Sequence, residues 1–245
     1  MPKFESKPRV WPSEVAQIER PYYSTIAFEE FLRRHGVWKP QTEVIDIGTG
    51  IGANLFYFRE RNPEIEFVGL DYNQQKIEQG RQVVADRGVS GISLEAGDIW
   101  KLPSSWTGRF DGITVIHTLC VFRRIEPFIE TLTALRPRWI AINSLFYPGP
   151  LDVLIHIRDH EHPEIADDNP DGDFNIFSLN RTAEVFGAQG YRLTQTEGFY
   201  PRAPLAKPSD GRRGTYTMST DFSPRTQFSG PVHLPWHFLL AQRKH

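Results

Sequence analysis

Val44, Ile45 and Ile47 form an apolar run interrupted only by Asp46, the pattern of a strand buried on both faces. Strands are likewise read over residues 65–70, 110–116 and 139–145, with a short one over 92–95. Helices are expected between them over 52–61 and 74–87, stopped by Asn62-Pro63 and by Gly88. A further helix is read from Ile125, Phe128, Ile129, Leu132 and Leu135, spaced by three and four residues and ended by Pro137. Strand alternating with helix predicts an α/β fold, a parallel sheet with helices on both faces joined by right-handed crossovers. Upstream, Ser13 suits the cap of a short helix ending before Pro21. Ser24 suits the cap of a second, with Ile26, Phe28, Phe31 and Leu32 as its apolar positions and Gly36 as its stop. Residues 1–40 thus read as a helical cap on a main domain of 41–245, the whole forming one structural domain. Downstream, Ser178 suits an N-cap for a helix to Gln189, and 191–199 and 232–242 read as late strands.

Composition sharpens this division. Of the 19 prolines, three (Pro63, Pro103 and Pro127) fall within 41–136, and eleven lie from Pro137 to Pro235. Proline fixes φ and removes a donor, so regular elements should dominate the first stretch and loops interrupt the second. Two segments, about 147–177 and 201–230, read as insertions that serve the substrate side. A chain of 245 residues can bury a large core without staples. A lone Cys120 excludes an internal disulfide framework, and no CxxC pair is present. No signal-like segment and no run of 18 apolar residues occurs. The expectation is a soluble cytoplasmic protein with no membrane partner. A net charge of −2 argues against a dedicated nucleic-acid binder.

The chemistry concentrates after the first strand. Asp46-Ile-Gly48-Thr49-Gly50-Ile-Gly52 leaves a strand and opens a helix, where glycines permit a sharp turn and the helix start offers free N–H groups. Asp71 ends the next strand, 19 residues past Gly52, and is placed to bind a ribose diol. A dinucleotide fingerprint reads GxGxxG; here the pattern is GxGxG, with an acid two places before the first glycine. That acid would repel a pyrophosphate and attract a cationic aminoacyl sulfonium.

In Val44–Gly52, Val68-Gly-Leu-Asp-Tyr72, Ala96-Gly-Asp-Ile99 and Phe110–His117, the sequence resembles the class I S-adenosylmethionine-dependent methyltransferases. The motifs stand in the family's order and spacing over roughly 40–145. The resemblance implies a doubly wound, mostly parallel seven-stranded sheet with an antiparallel last strand. It implies S-adenosylmethionine as cofactor and S-adenosylhomocysteine as product. Asp46 with Gly48, Thr49, Gly50 and Gly52 would hold the methionine part, and Asp71 the ribose. Asp98 would accept from the adenine amino group, with Tyr72, Ile99 and Trp100 against the ring. Asp111 through Thr118 would border the sulfonium and the acceptor. Asp98 also suits a plain helix cap, and Trp100 ordinary packing.

Methyl transfer from a sulfonium profits mainly from alignment in a dry site, and a hydroxyl acceptor usually profits from a base. His117, ending the fourth strand, is the first candidate for base, for a donor that orients the acceptor, or for a wall of the cofactor pocket. His156 and His160 share a face if their segment is helical, as catalytic bases or metal ligands would. The same spacing fits a solvated polar helix, and no metal is expected. Metal-dependent catechol-type methyltransferases carry an acid before the Asn that ends the fifth strand, whereas Ile142 precedes Asn143 here. Asn143 reads instead as a polar group lining the acceptor pocket. Arg202, Lys207, Arg212, Arg213 and Arg225 lie beside Tyr200 and Tyr216. Arg202 and Arg213 suit an anionic acceptor, although a solvated hairpin loop explains the same charges. Tyr22, with Tyr23, is placed to close over the cofactor or to pack in the core.

The expected activity is methyl transfer to oxygen or nitrogen of a small molecule, a sugar, nucleotide-sugar or other hydroxylated metabolite. The alternatives are a nucleic-acid methyltransferase, a non-catalytic cofactor-binding or scaffold protein, and an NAD-dependent oxidoreductase. Against the first, Ile116-His117-Thr118-Leu119 replaces the Asn/Asp-Pro-Pro-aromatic motif.

Overall fold

The structure, a computed structural model, describes residues 12–157, 173–207, 214–230 and 232–244. Its packing separates two compact units. One comprises the described residues up to Ile116 with Thr131–Arg138, the other His117–Glu130 with the described residues from Trp139 onward.

The first unit contains α1 (Pro12–Glu19), α2 (Tyr23–Arg34), β1 (Glu43–Ile47), α3 (Ala53–Arg61), β2 (Glu66–Asp71), α4 (Gln74–Asp86), β3 (Ile92–Ala96) and β4 (Gly112–Ile116). All four strands run parallel in the order β3-β2-β1-β4. Ile45 of β1 stands opposite Val68 of β2 and Ile113 of β4. All three are buried, as the apolar runs require of strands covered on both faces. Two expected caps move. α1 starts at Pro12, so Ser13 lies inside it, and α2 starts at Tyr23, with Ser24 buried in its first turn. Tyr22, following Pro21, keeps extended backbone (φ −61°, ψ 146°) and is the residue before the helix, without a side-chain cap.

The second unit holds β5 (Trp139–Tyr147), β6 (Phe177–Ser178), α6 (Leu179–Ala188), β7 (Tyr191–Gly198), β8 (Thr215–Thr220), β9 (Ser223–Ser229) and β10 (Trp236–Arg243). α5 (Ile125–Ala134) begins in it. β10 lies between β5 and β7, antiparallel to both. The short β6 pairs parallel with the end of β5. Ser178 caps α6 as expected, its hydroxyl accepting from the Arg181 N–H at 3.1 Å. The fold is therefore the expected mixed α/β arrangement, a mostly parallel sheet whose last strand is antiparallel. Within 201–230, read as loop, β8 and β9 form a hairpin. Thr, Tyr and Phe favour such strands, but the flanking Pro, Gly and Arg hide the alternation.

Candidate functional site

The glycine loop of the first unit is built by the end of β2. The N–H groups of Gly48 and Thr49 donate to the Leu70 carbonyl at 2.8 and 3.1 Å, and that of Gly52 to the Thr49 carbonyl at 2.9 Å. The Gly50 N–H donates to Asp71 Oδ2 at 2.8 Å, and the Ile51 N–H to Glu14 Oε2 at 3.3 Å. The N–H groups of residues 48–52 are thus engaged within the chain, two of them by carboxylates. A pyrophosphate approaching this loop meets anions rather than open N–H groups, whereas a cationic ligand is favoured. Gly48, Gly50 and Gly52 have φ of 75°, 60° and 82°. At Gly50 the backbone demands glycine, and an added Cβ would also displace Glu14 Oε2, which would stand 2.7 Å away.

Asp46 and Asp71 are both buried. The Thr114 hydroxyl donates to Asp46 Oδ1 at 2.7 Å. Burial pushes the Asp46 carboxyl up to about 7, against the opposing effect of Thr114 and, more weakly, of Thr49. The Thr49 hydroxyl lies near Asp46 without a hydrogen bond of standard geometry. Asp71 is also raised, chiefly by burial, while Oδ1 accepts from the Asn73 N–H at 2.9 Å and Oδ2 from Gly50. Each carboxylate oxygen retains acceptor capacity for a hydroxyl. Asp98 caps the turn Ile99–Lys101, accepting from the Trp100 N–H at 3.0 Å, and its other oxygen lies 3.3 Å from Lys101 Nζ. Ile99 is buried, whereas Tyr22, Tyr72 and Trp100 are exposed.

Asp111 requires a correction. It precedes β4 at the strand's N-terminal end, where its N–H donates to the Glu43 carbonyl and its carboxylate faces Arg138 at 3.3 Å. The glycine loop follows the C-terminal end of the parallel β1, so Asp111 stands at the opposite edge. It fastens strand ends, away from the glycine loop.

In the second unit His117 has φ of 56°, unusual for a residue with a side chain. Its N–H donates to the Asn143 carbonyl at 2.9 Å, and its ring tilts against Trp236 with centroids 4.1 Å apart. Asn143 Nδ2 lies 3.2 Å from His117 Nε2. With the amide nitrogen facing the ring, Nε2 accepts and the proton of the neutral ring sits on Nδ1; with the amide turned, Oδ1 would accept from Nε2–H. Desolvation lowers the imidazole to about 4, which makes it neutral at pH 7. Asn143 is fully buried and its Oδ1 has no hydrogen-bond partner among the described residues. His156 sits in an isolated antiparallel bridge with Asp173, not in a helix, and its Nδ1 lies 3.3 Å from the Asp173 carboxylate. His160, like Arg212 and Arg213, lies outside the described residues. Arg202 is exposed, and its carbonyl accepts from the Arg225 guanidinium. Among the described residues no three His, Cys, Asp or Glu come together as metal ligands.

Two site residues, Glu14 and Trp236, escaped the sequence, since each meets its partner only through folding. Thr114 lay within the stretch 111–118 expected at the site, but its pairing with Asp46 comes only from the register of β1 and β4.

A model of a methyltransferase domain matches residues 39–170, more than half of the chain. The chain is 35% identical over 185 residues to a demethylmenaquinone methyltransferase of Deinococcus radiodurans, covering 74% of this chain and 68% of that protein. It is 28% identical to a ribosomal RNA small subunit methyltransferase G of Syntrophobacter fumaroxidans, over 53% of this chain and 60% of that one. The curated relatives it matches are spanned over 36% to 68% of their own length. A magnesium protoporphyrin IX methyltransferase from Synechocystis, solved with bound S-adenosylhomocysteine, shares the fold with a TM-score of 0.56 at 14% identity, over 94% of this chain and 84% of that one. Loop, acids, strand order and family match converge: the chain belongs to the methyltransferase domain family, of the class I, S-adenosylmethionine-dependent kind.

Proposed function

We propose that the chain methylates an oxygen or nitrogen of a small molecule, a sugar, nucleotide-sugar or other hydroxylated metabolite. The observation that carries this reading is the neutral His117, locked by Asn143 and Trp236 in a left-handed backbone conformation. Backbone strain persists where surroundings over-determine it, and it clusters at functional positions. The bound cofactor supplies an electrophilic methyl group on its sulfonium. Asp46 and the loop 48–52 hold its methionine part, Asp71 the ribose hydroxyls, and Asp98 with Ile99, Tyr72 and Trp100 the adenine. His117 Nδ1–H donates to the acceptor and aligns it, since a ring held neutral to about pH 4 is a weak base at pH 7. Asn143 fixes that tautomer, and Arg202 and Arg213 suit an acidic acceptor.

The relative named for demethylmenaquinone supports a small-molecule acceptor, and the one named for ribosomal RNA supports the alternative of a nucleic acid. Incubation with S-adenosylmethionine labelled in its methyl group, against a metabolite extract and against total RNA, separates the two. Label is expected in the low-mass fraction. Label confined to RNA overturns the proposal.

A further inference from the structure

Glu14 lies on α1, 37 residues before the loop it touches. Its Oε2 accepts from the Ile51 N–H at 3.3 Å, and its Oε1 stands 2.7 Å from Lys76 Nζ on α4. Both side chains of the pair are partly buried, with exposures of 23% and 25%. α1 is pinned by Gln17, whose amide donates to Asn54 Oδ1 at 2.8 Å on α3, and by the ion pair of Glu19 with Arg87. A third carboxylate thereby joins Asp46 and Asp71 around the glycine loop, and Lys76 is the cation ion-paired with it.

We propose that Glu14, by neutralising Lys76 beside the glycine loop, preserves the loop's preference for the cationic S-adenosylmethionine over its neutral product S-adenosylhomocysteine. The inference rests on the reading that residues 48–52 hold the cofactor. Donor and product differ by one methyl and one positive charge on sulfur, so shape discriminates them weakly and the local field discriminates them well. In the intact protein Glu14 offsets Lys76. Removing the carboxylate's charge leaves the ammonium to oppose the sulfonium, and removing the ammonium does the reverse. A preference of this kind lets the product leave while the donor stays bound.

The test is calorimetric titration of both ligands against the full chain and three variants. Glu14→Gln is expected to lower the ratio of S-adenosylmethionine to S-adenosylhomocysteine affinity by about three- to tenfold, and Lys76→Met to raise it by a similar factor. The double variant should return close to the original ratio. Equal weakening of both ligands by Glu14→Gln assigns the residue to loop geometry alone and overturns the proposal, as does an unchanged ratio. If Glu14→Gln fails to fold, the Lys76→Met ratio decides. An unaltered chain that binds neither ligand refutes the cofactor assignment of the loop itself, an outcome distinct from the others.

Discussion

Burial shifts both Asp46 and His117 towards their uncharged forms, Asp46 up to about 7 and His117 down to about 4, yet they sit in different units. A carboxyl at about 7 ionises readily beside a cation, so under the proposed role of Asp46 cofactor binding would release a proton from it. Asp46→Asn keeps an oxygen for the Thr114 hydroxyl but cannot ionise. Its affinity for S-adenosylmethionine is expected to fall tenfold or more, and calorimetry in buffers of different ionisation enthalpy should find the proton release gone. For His117 the expectation concerns rate. An orienting donor with its imidazole near 4 gives a kcat profile without an ionisation between about pH 5.5 and 8, and an acid limb centred near 6.5 would instead mark a general base.

At the scale of elements, α4 and the glycine loop are coupled through a close contact. A Cβ at Gly80 of α4 would meet the Ile51 carbonyl at 2.4 Å, whereas one at Gly187 of α6 would meet nothing within 4 Å. Helix propensity favours alanine over glycine by about 1 kcal/mol at both. Gly187→Ala should therefore stabilise the chain by roughly 0.5–1 kcal/mol in urea unfolding. Gly80→Ala must push the loop carbonyl aside, and is expected to cost stability and to weaken cofactor binding by about an order of magnitude. The regular elements were legible from pattern because strands buried on both faces leave continuous apolar runs. The β8–β9 hairpin was not, since its strands alternate weakly, with Thr and Ser on both faces.

At the scale of the whole molecule, the opposite shifts of Asp46 and His117 give opposing pH dependences of stability. The folded state binds more protons at Asp46 between about 4 and 7, so this group's contribution falls as pH rises through that window. The unfolded state binds more protons at His117 between about 6.5 and 4, so that contribution is lost as pH falls through it. The slopes partly cancel in the unaltered chain. Asp46→Asn removes one of them, and its advantage in thermal melting over the unaltered chain should grow from pH 4 to pH 7, reaching roughly 2–4 kcal/mol. A constant difference across that range would show that Asp46 is charged in the folded state.

The sequence by itself determined the strand–helix alternation, the glycine turn and the acids of the cofactor motifs, because each is encoded within a few neighbouring residues. Only the tertiary structure decided what those groups do. It moved Asp111 to the far end of its strand, took up the loop's N–H groups, and brought Glu14 onto the loop from a helix 37 residues away. It also set His117 between Asn143 and Trp236. The physical reason is one of range. Periodicity and turn chemistry are local, whereas burial, charge and proton affinity depend on neighbours distant in the chain, which only the folded backbone brings together.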